Sequence, residues 1–170
     1  MSGTLWINIV RGCRSLPILS NDPIKFLLAM HTSQQNDSPR RSAAARMKGL
    51  SISKIERLPP DDWVFHFGGG VVLNTQSRWR LLSQEAILLT SEDDGQQYGL
   101  PKPVDASASI RELLANRVVT TVEVDQASAD LTIVFDNGTV LQIVNLSSGY
   151  EAWTLTSEGD FMMVGRNGCS

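Results

Sequence analysis

From residue 62 onward, apolar residues recur at every second position in short stretches closed by glycine or polar turns, the period of strands with one buried face. Residues 63–67, with Trp63, Phe65 and Phe67 on one face, run into Gly68, Gly69 and Gly70, and 71–75 returns. Much later, 131–135, with Leu131, Ile133 and Phe135 on one face, runs into Asp136, Asn137 and Gly138, and 139–143 returns with Leu141 and Ile143 together. An Asn-Gly pair accepts positive φ at both central positions of a tight hairpin, and a glycine run does so with more freedom. Each hairpin leads to a strand bearing a tryptophan, Trp79 within 78–81 and Trp153 within 151–155. Aligning Gly70 with Gly138 sets Val72 and Leu73 on Val140 and Leu141; the tryptophans then follow nine and fifteen positions later, so the second copy carries six extra residues.

Further strands are predicted over 86–90, 118–124 and 161–164, the last after a turn at Ser157, Glu158 and Gly159. One short helix is predicted from a capping box at Ser109 and Glu112 to about Asn116, and Gly99–Pro103 should be an extended loop. The fold class that follows is mainly β (α+β). It is an antiparallel meander or partly closed barrel, built from a degenerate duplicated hairpin-plus-strand unit, with one internal helix.

Before residue 47 the pattern fails. The stretch 31–46 has almost no apolar side chain larger than alanine and reads as a linker that cannot offset its ordering entropy by burial. Asn21, Asp22 and Pro23 form a helix start signal ahead of Ile24, Leu27 and Leu28, enough only for a short helix that needs a surface to dock on. The expected organisation is therefore a poorly packed or extraneous segment 1–46 and a single β-rich domain 47–170, with Met47 as the natural start. Charge follows the same boundary. Residues 1–46 hold six basic and two acidic residues, net +4, so the remainder of a chain with net charge −3 carries −7. That balance excludes a uniformly basic nucleic-acid binder, leaving the leader as the one stretch suited to an anionic surface. Two cysteines, Cys13 and Cys169, cannot make a disulfide framework or a four-thiolate zinc site. No apolar run reaches the ~18 residues of a membrane-spanning helix.

Candidate chemistry is sparse. Glu92, Asp93 and Asp94 before Gly95 form the densest acidic run; they suit a hard cation in residue type but lack the alternating spacing of a calcium loop, and a solvated turn is the better reading. His66 has no local nucleophile or orienting carboxylate, and His31 lies at the linker edge. Glu151 falls on the face of Trp153 in a regular strand, so it pairs with a cation such as Arg78 or Arg80 or faces the edge, with a ligand-binding acid as the lesser alternative. Arg78 and Arg80 share a face and could also form an anion patch. The Gly68–Gly70 run precedes β-type residues rather than a helix and is a hairpin turn, not a phosphate loop. The candidate binding residues are thus Arg78, Arg80, Glu92, Asp93, Asp94, Glu151 and Trp153, with no catalytic or metal-ligating residue and no cofactor expected.

Taken together, Trp79 to Leu82, Ser91 to Asp94, Tyr98 to Pro101, Val104, Asp105, Asp130, Leu131, Phe135 to Gly138, Leu141 and Ser148 to Trp153 resemble small uncharacterised bacterial β-domain proteins, over about residues 47–168. Some similar domains accompany secreted toxins as immunity proteins, which neutralise by binding. The resemblance implies a non-enzymatic, cytoplasmic binding protein with a protein partner, a toxin being one form of it, while the charge balance and the short apolar runs argue against a nucleic-acid or membrane partner. The −7 body supports that reading through charge complementarity. The alternative is a small-ligand-binding protein or enzyme using an acidic/Arg pocket, pairing Glu151 with Arg78 or Arg80, or the 92–94 run with His66.

Overall fold

The alternating stretches form strands whose buried faces are the ones the period selects: Phe65 and Phe67, Leu131, Ile133 and Phe135, Leu141 and Ile143. The computed structural model describes residues 45–158 and 160–166 (the backbone alone at 160–162); after helical residues 45–47, ten strands and an α-helix are laid out in chain order. They are β1 (Ile52–Leu58), β2 (Asp62–Phe67), β3 (Val71–Thr75), β4 (Arg78–Leu82) and β5 (Ile87–Thr90), then α1 (Ala106–Leu113). After the helix come β6 (Val119–Val124), β7 (Leu131–Phe135), β8 (Val140–Val144), β9 (Glu151–Ser157) and β10 (Asp160–Arg166). The described residues lie within one compact unit. Readings that concern the leader, including its helix start, Cys13 and His31, fall outside them, as does Cys169.

All strand pairs are antiparallel and make two five-stranded sheets, β1-β2-β3-β9-β10 and β5-β4-β8-β7-β6. The fold is mainly β with antiparallel strands, as the alternation predicts; the two sheets face each other across a shared core as a sandwich and do not close into a barrel. Exchanging β1–β5 for β6–β10 turns one strand order into the other. In each half a three-stranded meander stays in one sheet, and the tryptophan strand crosses to pair with the hairpin of the other half. The equivalence extends to register: Trp79 lies opposite Ile143 and Trp153 opposite Thr75, while Leu81 meets Leu141 and Leu155 meets Leu73. Gly70 and Gly138 both carry positive φ, +70° and +79°, at the matching turns. This is a symmetry of fold and register; descent of the halves from one duplicated unit remains an expectation.

The core is built on the crossing strands. Trp79 is fully buried with its ring edge-on to Trp63 at 4.9 Å and to Phe65 at 6.0 Å, which ties β4 of one sheet to β2 of the other. Trp153 is equally buried, and its indole Nε1 donates to the Ala129 carbonyl at 2.9 Å in the turn before β7. Thr75, buried opposite Trp153, donates its hydroxyl to the Ala152 carbonyl at 2.7 Å and accepts from the Ser77 amide. The Trp153 ring covers Gly165 on β10 so closely that a Cβ there would overlap it.

Two elements differ from expectation. Strand β1 was not evident from the sequence: it is an edge strand in which Ile55 alone is buried, and Lys54, Glu56 and Arg57 interrupt any alternation. The helix begins three residues earlier than predicted. Asp105 is the N-cap, accepting from the Ala108 amide at 2.9 Å, whereas the Ser109 hydroxyl donates back to the Asp105 carbonyl at 2.8 Å and so cannot act as a cap. The helix packs on β1 and β5, one edge strand from each sheet, and buries Ala106 and Ile110, with Leu114 beyond its end, against the core.

Gly165→Ala is expected to destabilise the domain by about 1–3 kcal/mol through overpacking against Trp153. Gly149→Ala, with open space around it, is expected to stay within about 0.5 kcal/mol. Urea denaturation of both variants measures the contrast.

Candidate functional site

At one end of the sandwich the β1–β2 turn, the β3–β4 turn, the loop after β5 and the β8–β9 crossover come together around two cavities that share Gln76. The smaller, about 160 Å³, is lined by Arg57, Asp61, Trp63, Arg78, Glu92 and Asp94, among others. Its charges are matched. Arg57 donates to Asp61 at 3.1 Å and to Asp94, with its guanidinium 5.7 Å from the centre of the Trp63 ring. Arg78 pairs with Glu92 at 2.6 Å. The hydrogen bond that Arg57 donates to Asp94, then the one to Asp61, pushes its guanidinium above its usual value.

The acidic run is therefore consumed internally. It forms a 3₁₀ turn in which Asp93 accepts from the Thr90 amide at 2.7 Å and from the Tyr98 hydroxyl at 3.0 Å. Asp94 spends one carboxylate oxygen on Arg57 and the other on the Ala106 amide at 2.9 Å, joining the β1 edge to the start of α1. Among the described residues no group of three His, Cys, Asp or Glu side chains is placed to hold a metal ion.

The larger cavity is an open cleft of about 540 Å³. Asp62 enters it from the start of β2, Asn74 from β3, Gln76 from the β3–β4 turn, Glu151 from the head of β9 and Arg166 from the end of β10, with Tyr150 at its rim. Glu151 does not share the buried face of Trp153 as a regular strand would require. Ala152 and Trp153 are both buried and the β9–β10 register shifts between Gly165 and Arg166, so the alternation breaks and Glu151 turns to solvent. Arg166 is its cross-strand neighbour, yet among the described residues neither Glu151 nor Asp62 forms an ion pair.

Of the seven residues chosen from sequence, Arg78, Glu92 and Asp94 thus line the small cavity, and Glu151 and Trp153 line the cleft beside it. Asp93 braces the adjoining loop. Arg80 lies elsewhere, on the outer face of its sheet, where its Nε donates to Gln142 at 2.9 Å. The expected partnership of Glu151 with Arg78 or Arg80 does not form, because β4 and β9 belong to different sheets and Arg78 is held by Glu92. Nor does His66 meet the acidic run. It bonds Glu56 at 2.8 Å on the outer face of the other sheet, where first Lys54 and then His66 hold the Glu56 carboxyl below its usual value. Sequence reasoning missed Arg57, Asp61, Asp62, Tyr150 and Arg166. The charged residues flanking Pro59 and Pro60, and the polar stretch before Tyr150, were the available signals.

The β8–β9 crossover is longer than its counterpart between β3 and β4. The β3–β4 link needs only Gln76 and Ser77, whereas 145–150 spans the equivalent step. The longer link is braced by the β6–β7 turn and by itself: the Asn145 amide donates to Asp130 at 2.8 Å and its side chain to the Ser128 carbonyl at 2.8 Å, while the Tyr150 amide donates to the Ser147 hydroxyl at 3.0 Å. On this fixed loop Leu146 and Tyr150 stand 71% and 81% exposed.

The hydrogen bond to Asp93, followed by burial and the charge of that carboxylate, raises the Tyr98 phenol above its usual value. Ionising it would lose the bond and set two negative charges together, so its contribution is intact below the ordinary tyrosine range and disappears as pH rises through the elevated folded value. In a spectrophotometric titration Asp93→Asn is expected to bring the ionisation of Tyr98 back toward lower pH.

Among the described residues no helix is long and apolar enough to cross a membrane. No curated protein and no solved structure matches the chain. A family model does match, over residues 64–169, from within β2 through the end of β10 and across both halves of the sandwich. With more than half its length matched, the chain belongs to the family of unknown function DUF6188.

Proposed function

We propose that this is a non-enzymatic, cytoplasmic binding domain that acts by protein–protein contact through the end of the sandwich where the two cavities lie. The observation that carries the proposal is the β8–β9 crossover. Its two-residue counterpart makes the same passage between sheets, so folding does not require the added residues. Ordering them costs roughly 1–2 kcal/mol per residue in backbone entropy. The chain nevertheless braces them with hydrogen bonds and uses them to hold Tyr150 and Leu146 in solvent beside a polar cleft. A preorganised loop with an exposed aromatic side chain is how binding surfaces concentrate affinity.

The net charge of −7 on residues 47–170 favours a basic partner. A toxin neutralised by occlusion, as immunity proteins do, is the form the sequence resemblance suggests. The alternative, a ligand pocket or active site around Arg78 and the acidic run, has less in its favour, since Arg57, Asp94, Arg78 and Glu92 are already engaged with one another.

The test compares what immobilised wild-type protein and the Leu146→Ser/Tyr150→Ala double variant retain from an extract of the source cells. Both side chains are exposed, so the variant is expected to fold with stability within about 0.5 kcal/mol of wild type. A protein retained at one-to-one stoichiometry by wild type and lost by the variant is the expected result; identical retention by both would overturn the proposal.

A further inference from the structure

The two adjoining cavities differ in charge balance. In the small one every carboxylate that lines it has a guanidinium partner: Asp61 and Asp94 with Arg57, Glu92 with Arg78. In the cleft, Asp62 and Glu151 stand against the single cation Arg166, and among the described residues neither carboxylate is paired. The cleft is thus one positive charge short of balance. Its remaining lining adds acceptors, the side-chain carbonyls of Asn74 and Gln76, and the ring of Tyr150 at the rim. We propose that the cleft seats a cationic side chain, arginine or lysine, from an extended segment of the partner, held by Asp62 and Glu151 and covered by the Tyr150 ring.

This rests on the reading of the domain as a protein-binding module and names the chemistry its partner presents. A cation over an exposed aromatic ring gains on the order of 0.5–1 kcal/mol, and charge-assisted hydrogen bonds to carboxylates add to it. An anionic ligand would have to lie beside two carboxylates. An apolar one would strip water from a predominantly polar lining without returning its hydrogen bonds. The volume of about 540 Å³ exceeds what one side chain fills and leaves room for the backbone on either side of it.

The test is a titration of the ¹⁵N-labelled full chain with two blocked tripeptides, acetyl-Gly-Arg-Gly-amide and acetyl-Gly-Glu-Gly-amide, followed by amide shifts. The arginine peptide is expected to move the amides of Asp62, Gln76, Tyr150 and Glu151 saturably, with a dissociation constant on the order of 1 mM, and more weakly as salt is raised. Glu151→Gln and Asp62→Asn are each expected to weaken it about threefold, the size of a solvent-exposed ion pair. Arg166→Gln, which removes the competing cation, should tighten it by a similar factor. A purely structural role for these residues would not produce opposite effects. Equal shifts from the glutamate peptide, no saturable shift from the arginine peptide, or saturation by a neutral oligosaccharide in its place would each overturn the assignment. The outcomes separate from those of the preceding proposal. If the arginine peptide fails but the loop variant still loses its partner, the cation seat falls alone; if the peptide binds but the loop variant retains the same proteins, protein contact through the loop falls.

Discussion

Neither three-stranded meander can bury its apolar face by itself, and the chain meets that constraint by sending each tryptophan strand into the opposite sheet. Strand β4 carries Trp79 to the hairpin β7–β8, and β9 carries Trp153 to the hairpin β2–β3. Each half therefore supplies a strand pair on which the other sheet depends, and the two indoles sit fully buried in one core. Large aromatic side chains at these places contribute the most area for the fewest ordered torsions. The close approach they demand explains why Gly165, rather than any larger residue, lies under Trp153.

Polar interactions then fix what the core leaves loose. A helix inserted between the halves closes against edge strands of both sheets, and Asp94 links it to β1 by bonding Arg57 and the Ala106 amide at once. Arg57 in turn lies over Trp63, whose ring meets Trp79. An uninterrupted chain of contacts thus runs from the charged end of the sandwich into its centre. The fully paired small cavity is part of that framework, and the proposed binding surface is the cleft beside it, where among the described residues Asp62 and Glu151 form no ion pair.

Much of this was legible in the residues. Short β-type runs between turns located nine of the ten strands, most plainly where one face is apolar as in β2, β3, β7 and β8, and the turn glycines aligned the two hairpins. Strand β1 escaped because an edge strand buries little; Ile55 alone does not make a pattern. The crossing of the tryptophan strands is a non-local pairing, and no local periodicity reports which hairpin a strand will join. The same limit governed the site. Arg78, Glu92 and Asp94 were recognisable as charged residues of interest, but their pairing with each other, and with Arg57 some distance back along the chain, follows only from the packing of three loops. Glu151 was misdirected for a local reason: the register shift opposite it reverses the face that regular alternation assigns.

Mutual dependence of the two sheets is open to direct measurement by native-state hydrogen exchange across β4 and β9 and the hairpins they join. Interlocked halves require the slowest amides of both sheets to exchange through one global opening, with the same free energy and the same dependence on denaturant. If one sheet exchanged through a separate, lower-energy opening while the other stayed protected, the sheets would be independent and the account of how this sequence builds its core would be wrong.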